Sequence, residues 1–195
     1  MSGYAESADD LAVQYESVTF DEIYGELAAL IPNAPARILD VGAGTGRDAA
    51  ALAAKGHLVV AAEPTAELRA HGQRLHPSDK IIWVDDSLPL LRRLDTRQGP
   101  FDVIVLSAVW MHLDAAERLK AMSRLRKLLA PRGIVLMSLR HGPVPPGRRM
   151  FDVTADEVAR QGQDQGLELA ARVARPDMLG RADVHWTLLA LVAET

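Results

Sequence analysis

The stretch ILDVGAGTGRDAA, residues 38–50, places three glycines at alternate positions directly after a short apolar run. The apolar run is typical of a buried strand and the residues after the glycines are typical of a helix, so the glycines predict a tight turn between the two. Glycine accepts left-handed backbone conformations and lets a ligand approach the main chain closely. A glycine-rich turn of this kind in an α/β protein indicates a site for a nucleotide-like ligand.

The spacing of the glycines distinguishes between ligands. Counted from Gly42, the dinucleotide fingerprint G-x-G-x-x-G needs a third glycine where the chain has Arg47, and counted from Gly44 it needs one where the chain has Ala49. The observed pattern, D-x-G-x-G-x-G, also puts Asp40 two residues before the turn. A carboxylate there would repel a pyrophosphate but attract an ammonium or a sulfonium group. These residues therefore favour S-adenosylmethionine over NAD.

Two further acids follow the next two predicted strands. Glu63 ends the run VVAAEP, where its carboxylate could accept hydrogen bonds from both ribose hydroxyls. Asp85 ends the run IIWVDDSLP, within reach of an adenine amine, and the neighbouring Asp86 is the alternative. Acids at the ends of three successive strands fit one nucleoside-like ligand lying along the sheet edge.

Beyond the glycine turn, short apolar runs alternate with helical patterns. The predicted strands are 37–41, 57–62, 80–84, 101–106 and 132–139, and residues 114–130 give the clearest helical pattern. Continuously apolar strands that alternate with helices indicate a parallel sheet covered on both faces. Two runs with no helix between them, 167–174 and 184–193, predict an antiparallel pair at the sheet edge.

Taken together, these motifs resemble those of the class I S-adenosylmethionine-dependent methyltransferases. ILDVGAGTG resembles motif I, VVAAEP the acidic loop, VDDSLP the adenine loop, FDVIVLSAVWMHL the segment around strand four, and LRKLLAPRGIVLMSL the strand-five motif. The resemblance covers residues 36–140. It implies a three-layer α/β Rossmann-like fold with a seven-stranded sheet in the order 3-2-1-4-5-7-6, the last strand antiparallel. Pro131-Arg132-Gly133 departs from the usual Pro-Gly-Gly.

The sequence pattern of the N-terminal segment, residues 1–35, predicts a helical structure. Thr19 and Glu22 have the spacing of a capping box, and the segment concentrates aromatic residues at Tyr4, Tyr15, Phe20 and Tyr24. In similar methyltransferases such a segment folds over the cofactor as a lid; the alternative is ordinary core packing. The predicted cofactor-binding residues are Asp40, Gly42, Gly44, Gly46, Glu63, Asp85, Asp86, Ser107 and Tyr15.

Four residues are candidates for the acceptor side of the site. His112 could act as a general base because its pKa lies near neutrality, or it could simply pack or cap the next helix. Arg140 and Arg149, in a segment with no acid, could contact a carboxylate or phosphate of the acceptor, or face water. Trp110 could form a wall of the acceptor site, or belong to the core.

Composition excludes several other classes of function. The 195 residues carry a net charge of -4 and include no cysteine, so a global basic surface for nucleic acid, a disulfide framework, a thiolate zinc site and a cysteine nucleophile are all excluded. No apolar run approaches the ~20 residues of a membrane span, and the acidic N-terminus lacks the pattern of a signal peptide. We expect a cytoplasmic protein with no bound metal.

The sequence therefore predicts a single methyltransferase domain over residues 1–195, divided into the lid, a cofactor-binding core at 36–140 and a substrate-side part at 141–195. It would use S-adenosylmethionine, release S-adenosylhomocysteine, and methylate O, N or S of a small-molecule acceptor, with an anionic acceptor as the finer hypothesis. The alternatives are a binding module that has lost transfer and an NAD oxidoreductase. An aminopropyl transferase would carry acidic substrate motifs that are not found here.

Overall fold

The computed structural model describes residues 8–94 and 98–194, so Tyr4 lies outside the described residues. The strands are β1 (Arg37–Val41), β2 (Leu58–Ala62), β3 (Ile81–Val84), β4 (Phe101–Ser107), β5 (Leu129–His141), β6 (Leu167–Pro176) and β7 (His185–Ala193). The α-helices are α1 (Ala8–Glu16), α2 (Phe20–Tyr24), α3 (Arg47–Ala54), α4 (Ala66–Leu75), α5 (Ala115–Leu128) and α6 (Ala155–Gln163). Short 3-10 helices cover Gly25–Leu30 and Trp110–His112.

The seven strands form one sheet in the order β3-β2-β1-β4-β5-β7-β6. β7 is antiparallel to both of its neighbours, β5 and β6, and the remaining neighbouring pairs are parallel. The predicted fold class is therefore confirmed, including the antiparallel pair at the end of the chain. Because β6 is parallel to β1, its carboxyl end reaches the same edge of the sheet as the glycine turn.

Helices cover both faces of the sheet, and consecutive residues of β1 point to opposite faces. Ile38 packs in a buried cluster with residues of α2 and α3, such as Phe20 and Leu52. Leu39 packs in a second buried cluster with residues of α5 and α6, such as Leu125. This double burial explains why the strands read as continuous apolar runs rather than as alternating ones.

Side chains at the helix starts fix where several helices begin. Thr19 and Glu22 form the predicted capping box at the start of α2, and Asp114 and Glu117 form a second one at the start of α5. Each box satisfies backbone N–H groups that have no partner within the helix. None of the helices within residues 8–94 and 98–194 is long and apolar enough to cross a membrane.

The largest difference from the predicted strands concerns β5, which begins at Leu129 rather than at residue 132. Leu129 pairs with Phe101 of β4, and the regular ladder resumes where Val103 pairs with Ile134. Between these pairs Arg132 adopts a φ of 58°. The departure from Pro-Gly-Gly thus places a non-glycine residue in a left-handed conformation.

Candidate active site

The glycine turn connects β1 to α3 and has room for glycine alone at several positions. The φ angles are 67°, 57° and 79° at Gly42, Gly44 and Gly46. A Cβ on Gly42 would lie 2.6 Å from a methyl carbon of Val109, and one on Gly46 would lie 2.7 Å from the ring of Trp83. Contacts this short would force the neighbours to move, so sterics as well as conformation require these glycines.

The end of α1 packs against the glycine turn and forms hydrogen bonds with it. A Cβ on Gly44 would stand 3.2 Å from two ring carbons of Tyr15. The guanidinium of Arg47 donates to the Tyr15 carbonyl at 3.1 Å, and the Thr45 hydroxyl donates to the Glu16 carboxylate at 2.6 Å. Tyr15 therefore lies where a lid over the turn would lie, and its contact with a cofactor stays a prediction.

Asp40 is a buried carboxylate with an unsatisfied oxygen. Its side chain is 1% exposed, and within the described part of the chain Oδ2 has no hydrogen-bond partner. Burial and the nearby charge of Asp48 raise the pKa of Asp40, while Arg47 and a hydrogen bond from the Ala49 backbone act in the opposite direction. A buried acceptor without a partner is costly, which suits a group that completes its hydrogen bonds with a ligand.

Glu63 links the end of β2 to the glycine turn. One carboxylate oxygen accepts the backbone N–H of Gly44 at 3.0 Å, and the other accepts the backbone N–H of Thr65 at 2.8 Å. The side chain is buried and borders the same cavity as Asp40. Since each carboxylate oxygen has two lone pairs, Glu63 keeps acceptor capacity for a ligand.

The two acids that follow β3 are placed differently from Glu63. The Asp86 carboxylate caps its own loop, accepting the backbone N–H groups of Ser87, Arg92 and Arg93. Asp85 is exposed and forms ion pairs with Arg69 and Arg93 at 3.4 and 3.2 Å. Neither is among the described residues that line the cavity, whose wall there is formed by Ser87 and Leu88.

A buried polar network runs beneath the turn, and most of its members were not predicted from the sequence. Asp48, in the first turn of α3, accepts the side chain of Arg47 at 2.7 Å and a short hydrogen bond from the Ser107 hydroxyl. Ser107 also contacts the Tyr24 hydroxyl at 2.9 Å, and burial raises the pKa of Tyr24. Ser107 does border the cavity, but its hydroxyl already serves this network.

His112 borders the cavity just after β4. Its Nδ1 lies 2.8 Å from the backbone carbonyl of Arg149, so in the neutral ring the proton sits on Nδ1 and the lone pair on Nε2. Burial lowers the pKa of His112, and the charges of Arg148 and Arg149 lower it further, whereas the carbonyl contact raises it. The ring is therefore held in a tautomer that can accept a proton at Nε2.

The other three acceptor-side candidates are not free cavity groups. Arg149 borders the cavity, but its guanidinium pairs with Asp114 at 3.1 Å and with Glu117 at 2.8 Å. Arg140 donates to the backbone carbonyl of Pro143 at 3.0 Å and is not among the described cavity residues. Trp110 is fully buried in the hydrophobic core, so the structure places it in the core rather than in a wall of the site.

A cavity along the carboxyl edge of the sheet is lined by Asp40, the glycine turn, Glu63, Ser107 and His112. Its volume is about 550 Å³, within the range of about 300–1,000 Å³ that is typical of small-molecule sites. One half is formed by the ends of β1, β2 and β3, and includes Asp40, the glycine turn and Glu63. The other half is formed by the ends of β4 and β5, by residues before and within α2, and by the β6–β7 loop.

The β6–β7 loop is a part of the site that the sequence interpretation missed. It contributes Asp177, Met178, Leu179 and Arg181 to the cavity wall, together with Trp186 at the start of β7. The available signal was topological: the loop follows a strand parallel to β1, so it lies at the same edge as the glycine turn. Within the described residues, no cluster of His, Asp or Glu has the composition of a metal site.

The fold and the glycine turn together define a Rossmann-like methyltransferase architecture, and solved structures share it. One is a Burkholderia thailandensis 1,6-didemethyltoxoflavin-N1-methyltransferase with bound S-adenosylhomocysteine, at a TM-score of 0.67 and 22% identity, covering 100% of this chain and 92% of that one. Another is the magnesium protoporphyrin IX methyltransferase of Synechocystis with bound S-adenosylmethionine, at a TM-score of 0.71 and 17% identity, covering 100% and 86%.

The chain belongs to the methyltransferase domain family, whose sequence profile matches residues 15–172. It is also similar to a demethylmenaquinone methyltransferase of Clavibacter sepedonicus, at 35% identity over 136 residues, or 67% of this chain and 52% of that protein. A Bacillus licheniformis methyltransferase is 30% identical over 141 residues, or 69% of this chain and 63% of that protein. The chain thus spans about half to two thirds of the curated relatives it matches.

Proposed function

We propose that this chain transfers the methyl group of S-adenosylmethionine to a small-molecule acceptor. The observation that carries the proposal is the pair of buried acids on the two sides of the glycine turn. Asp40 lines the cavity and has an oxygen with no hydrogen-bond partner among the described residues, and Glu63 accepts a hydrogen bond from the backbone of the turn itself. Both lie beside the glycine turn, whose three glycines have positive φ angles, at the switch point where open α/β sheets bind ligands.

These residues fit the cofactor group by group. The Asp40 carboxylate would attract the ammonium group of the methionine part, and Glu63 would accept hydrogen bonds from the ribose hydroxyls. Pro64, Leu68 and Leu88 supply apolar wall beyond Glu63, where an adenine ring would lie. Asp85 and Asp86 stay predictions for the adenine amine, and their present partners favour a contact through the backbone near Ser87 over one through either carboxylate.

S-adenosylmethionine supplies an activated methyl group, so the protein's own task is to position the acceptor and, where needed, to remove its proton. His112 can do the second, because its Nδ1–H donates to the Arg149 carbonyl, and this tautomer makes Nε2 the basic nitrogen of the neutral ring. For a hydroxyl acceptor, the proton moves to Nε2 and the oxygen gains the methyl group. The electron pair of the broken carbon–sulfur bond stays on sulfur, which gives S-adenosylhomocysteine.

The relatives support a small-molecule acceptor. The relative from Clavibacter sepedonicus is named for demethylmenaquinone, and the two solved structures are named for 1,6-didemethyltoxoflavin and magnesium protoporphyrin IX. A cavity of about 550 Å³ has room for compounds of modest size. The finer hypothesis of an anionic acceptor rested on Arg140 and Arg149, and the contacts of both arginines argue against that role.

Calorimetric titration of the full chain with S-adenosylmethionine and, separately, with NAD tests the proposal. We expect saturable binding of S-adenosylmethionine and none of NAD, since Asp40 would oppose a pyrophosphate. Turnover to S-adenosylhomocysteine with an acceptor separates an enzyme from a binding module. Tighter binding of NAD, or no binding of S-adenosylmethionine, would overturn the proposal.

A further inference from the structure

The acceptor half of the cavity is lined mainly by apolar side chains from two separate parts of the chain. Val18 and Ile23 come from the N-terminal segment, and Met178 and Leu179 come from the β6–β7 loop. Met178 and Leu179 remain 41% and 42% exposed. Large apolar side chains that stay exposed at the rim of a cavity are a signature of a surface that an apolar ligand covers.

Every arginine known to line the cavity, within the part of the chain that the structure describes, is already paired with a carboxylate. Among the described residues, four arginines line the cavity: Arg47, Arg149, Arg175 and Arg181. Each one pairs with a carboxylate within 2.7 to 3.5 Å. The wall carries five carboxylates against these four guanidinium groups: Asp40, Asp48, Glu63, Glu117 and Asp177. An anionic acceptor would have to compete with these carboxylates for the guanidinium groups.

The β6–β7 loop is held in place before any acceptor arrives. Asp177 accepts two hydrogen bonds from the Arg181 guanidinium, at 2.7 and 3.0 Å, and one from the Trp186 indole at 2.9 Å. It also accepts the backbone N–H of Leu179 at 3.1 Å. Since the Asp177 side chain is only 2% exposed, this cluster fixes the positions of the two rim residues. A preformed apolar rim reduces the entropy that binding must offset.

We infer that the acceptor is an uncharged, mainly apolar compound whose methylated group is a weakly acidic hydroxyl, held between Ile23 and Leu179 with that hydroxyl toward His112. The apolar rim and the paired arginines select against charge, and the His112 tautomer provides the base that a hydroxyl requires. The inference rests on the proposed methyl transfer and narrows the class of acceptor for it.

A matched pair of probes tests the charge preference: 2-naphthol and 6-hydroxy-2-naphthoate, which differ by one carboxylate. Each is titrated calorimetrically into the full chain saturated with S-adenosylhomocysteine, and methylation is followed by mass spectrometry with S-adenosylmethionine. We expect 2-naphthol to bind at least about tenfold more tightly than the naphthoate. Tighter binding of the naphthoate, or binding of neither probe, would overturn the inference.

Two single substitutions locate the binding surface. Leu179→Asp puts a charge on the rim and should weaken 2-naphthol binding about fivefold to tenfold. Leu169→Asp is the control, because Leu169 is 43% exposed on β6 and is not among the described cavity residues. Equal affinity of Leu179→Asp and Leu169→Asp for 2-naphthol would overturn the inference. If S-adenosylhomocysteine does not bind, the proposed function is wrong. If S-adenosylhomocysteine binds but the protein does not prefer 2-naphthol to the naphthoate, only the inferred class of acceptor is wrong.

Discussion

The ring of Tyr15 lies against Gly44, so closely that a Cβ on Gly44 would meet two ring carbons at 3.2 Å. The N-terminal helix and the glycine turn are thus fitted to each other, and the missing side chain of Gly44 makes room for Tyr15. A substitution at Gly44 would displace Tyr15 as well as crowd any ligand held by the turn.

Gly44→Ala should therefore weaken binding of S-adenosylmethionine by about tenfold or more, or about 1.4 kcal/mol. The matched control is Gly166→Ala, because Gly166 has a φ of 71° and no atom within 4 Å of a built Cβ. Both variants should lose stability from backbone strain, and Gly44→Ala should lose more because its Cβ also displaces the Tyr15 ring. Only Gly44→Ala should lose affinity in calorimetry. Equal affinities for the two variants would show that the turn does not hold the cofactor.

Asp40→Asn should make the ligand-free protein more stable at neutral pH, because the amide carries no buried charge, while weakening cofactor binding. Folding raises the pKa of Asp40 above its usual 3.8, so folded protein binds the proton more tightly and wild-type stability falls as pH rises through the raised pKa. The asparagine side chain does not ionise, so the stability of the variant does not fall in this way. Chemical unfolding of both proteins from pH 4 to 8 measures the difference, which should widen with pH; a constant difference would contradict the account.

The pH dependence of turnover should show whether His112 acts as the general base. Because its pKa is lowered from the usual 6.5, the neutral base persists below that pH, and kcat/KM should fall only as the pH drops further. His112→Asn can still donate to the Arg149 carbonyl but cannot accept a proton. It should lower kcat by about 10²-fold to 10⁴-fold and abolish the acid limb of the profile. An unchanged acid limb in the variant would assign it to another group.

Arg132→Gly should stabilise the protein, because Arg132 is exposed and has a φ of 58°. Relief of the left-handed strain is worth about 1 kcal/mol, or roughly 2–4 °C in Tm for a chain of this size. Lys127→Gly, at an exposed position in the last turn of α5, is the control and should destabilise by about 1 kcal/mol. A Tm that falls in both variants would contradict the strain assigned to Arg132.

The sequence predicted the fold well because the fold depends on burial patterns. Strand ends are marked by the last apolar residue, so Asp40 and Glu63 could be placed beside the glycine turn without coordinates. The parallel arrangement and the antiparallel β7 followed from where helices separate the strands. These features depend on local pattern and chain topology, which the order of residues records directly.

Side-chain partners could not be predicted in the same way. Arg149 is in the expected place, but Asp114 and Glu117, which neutralise it, come from the preceding helix start. Trp110 is adjacent in sequence to cavity residues and yet turns into the core. Such choices depend on competition between neighbours brought together by the fold, and sequence spacing does not record that competition.

A cofactor site at the glycine turn is tested by calorimetric titration of S-adenosylmethionine into the wild type and into Glu63→Gln. Glu63 accepts hydrogen bonds from two backbone N–H groups beside the proposed ribose site. The side-chain NH₂ of glutamine would instead point at one of these backbone N–H groups or at a ribose hydroxyl. We predict a loss of roughly 1.5–3 kcal/mol, or about tenfold to over a hundredfold in Kd. Glu67→Gln, an exposed position in the first turn of α4, should bind like the wild type. Wild-type affinity in Glu63→Gln, or no binding by the wild type, would contradict a cofactor site at the glycine turn.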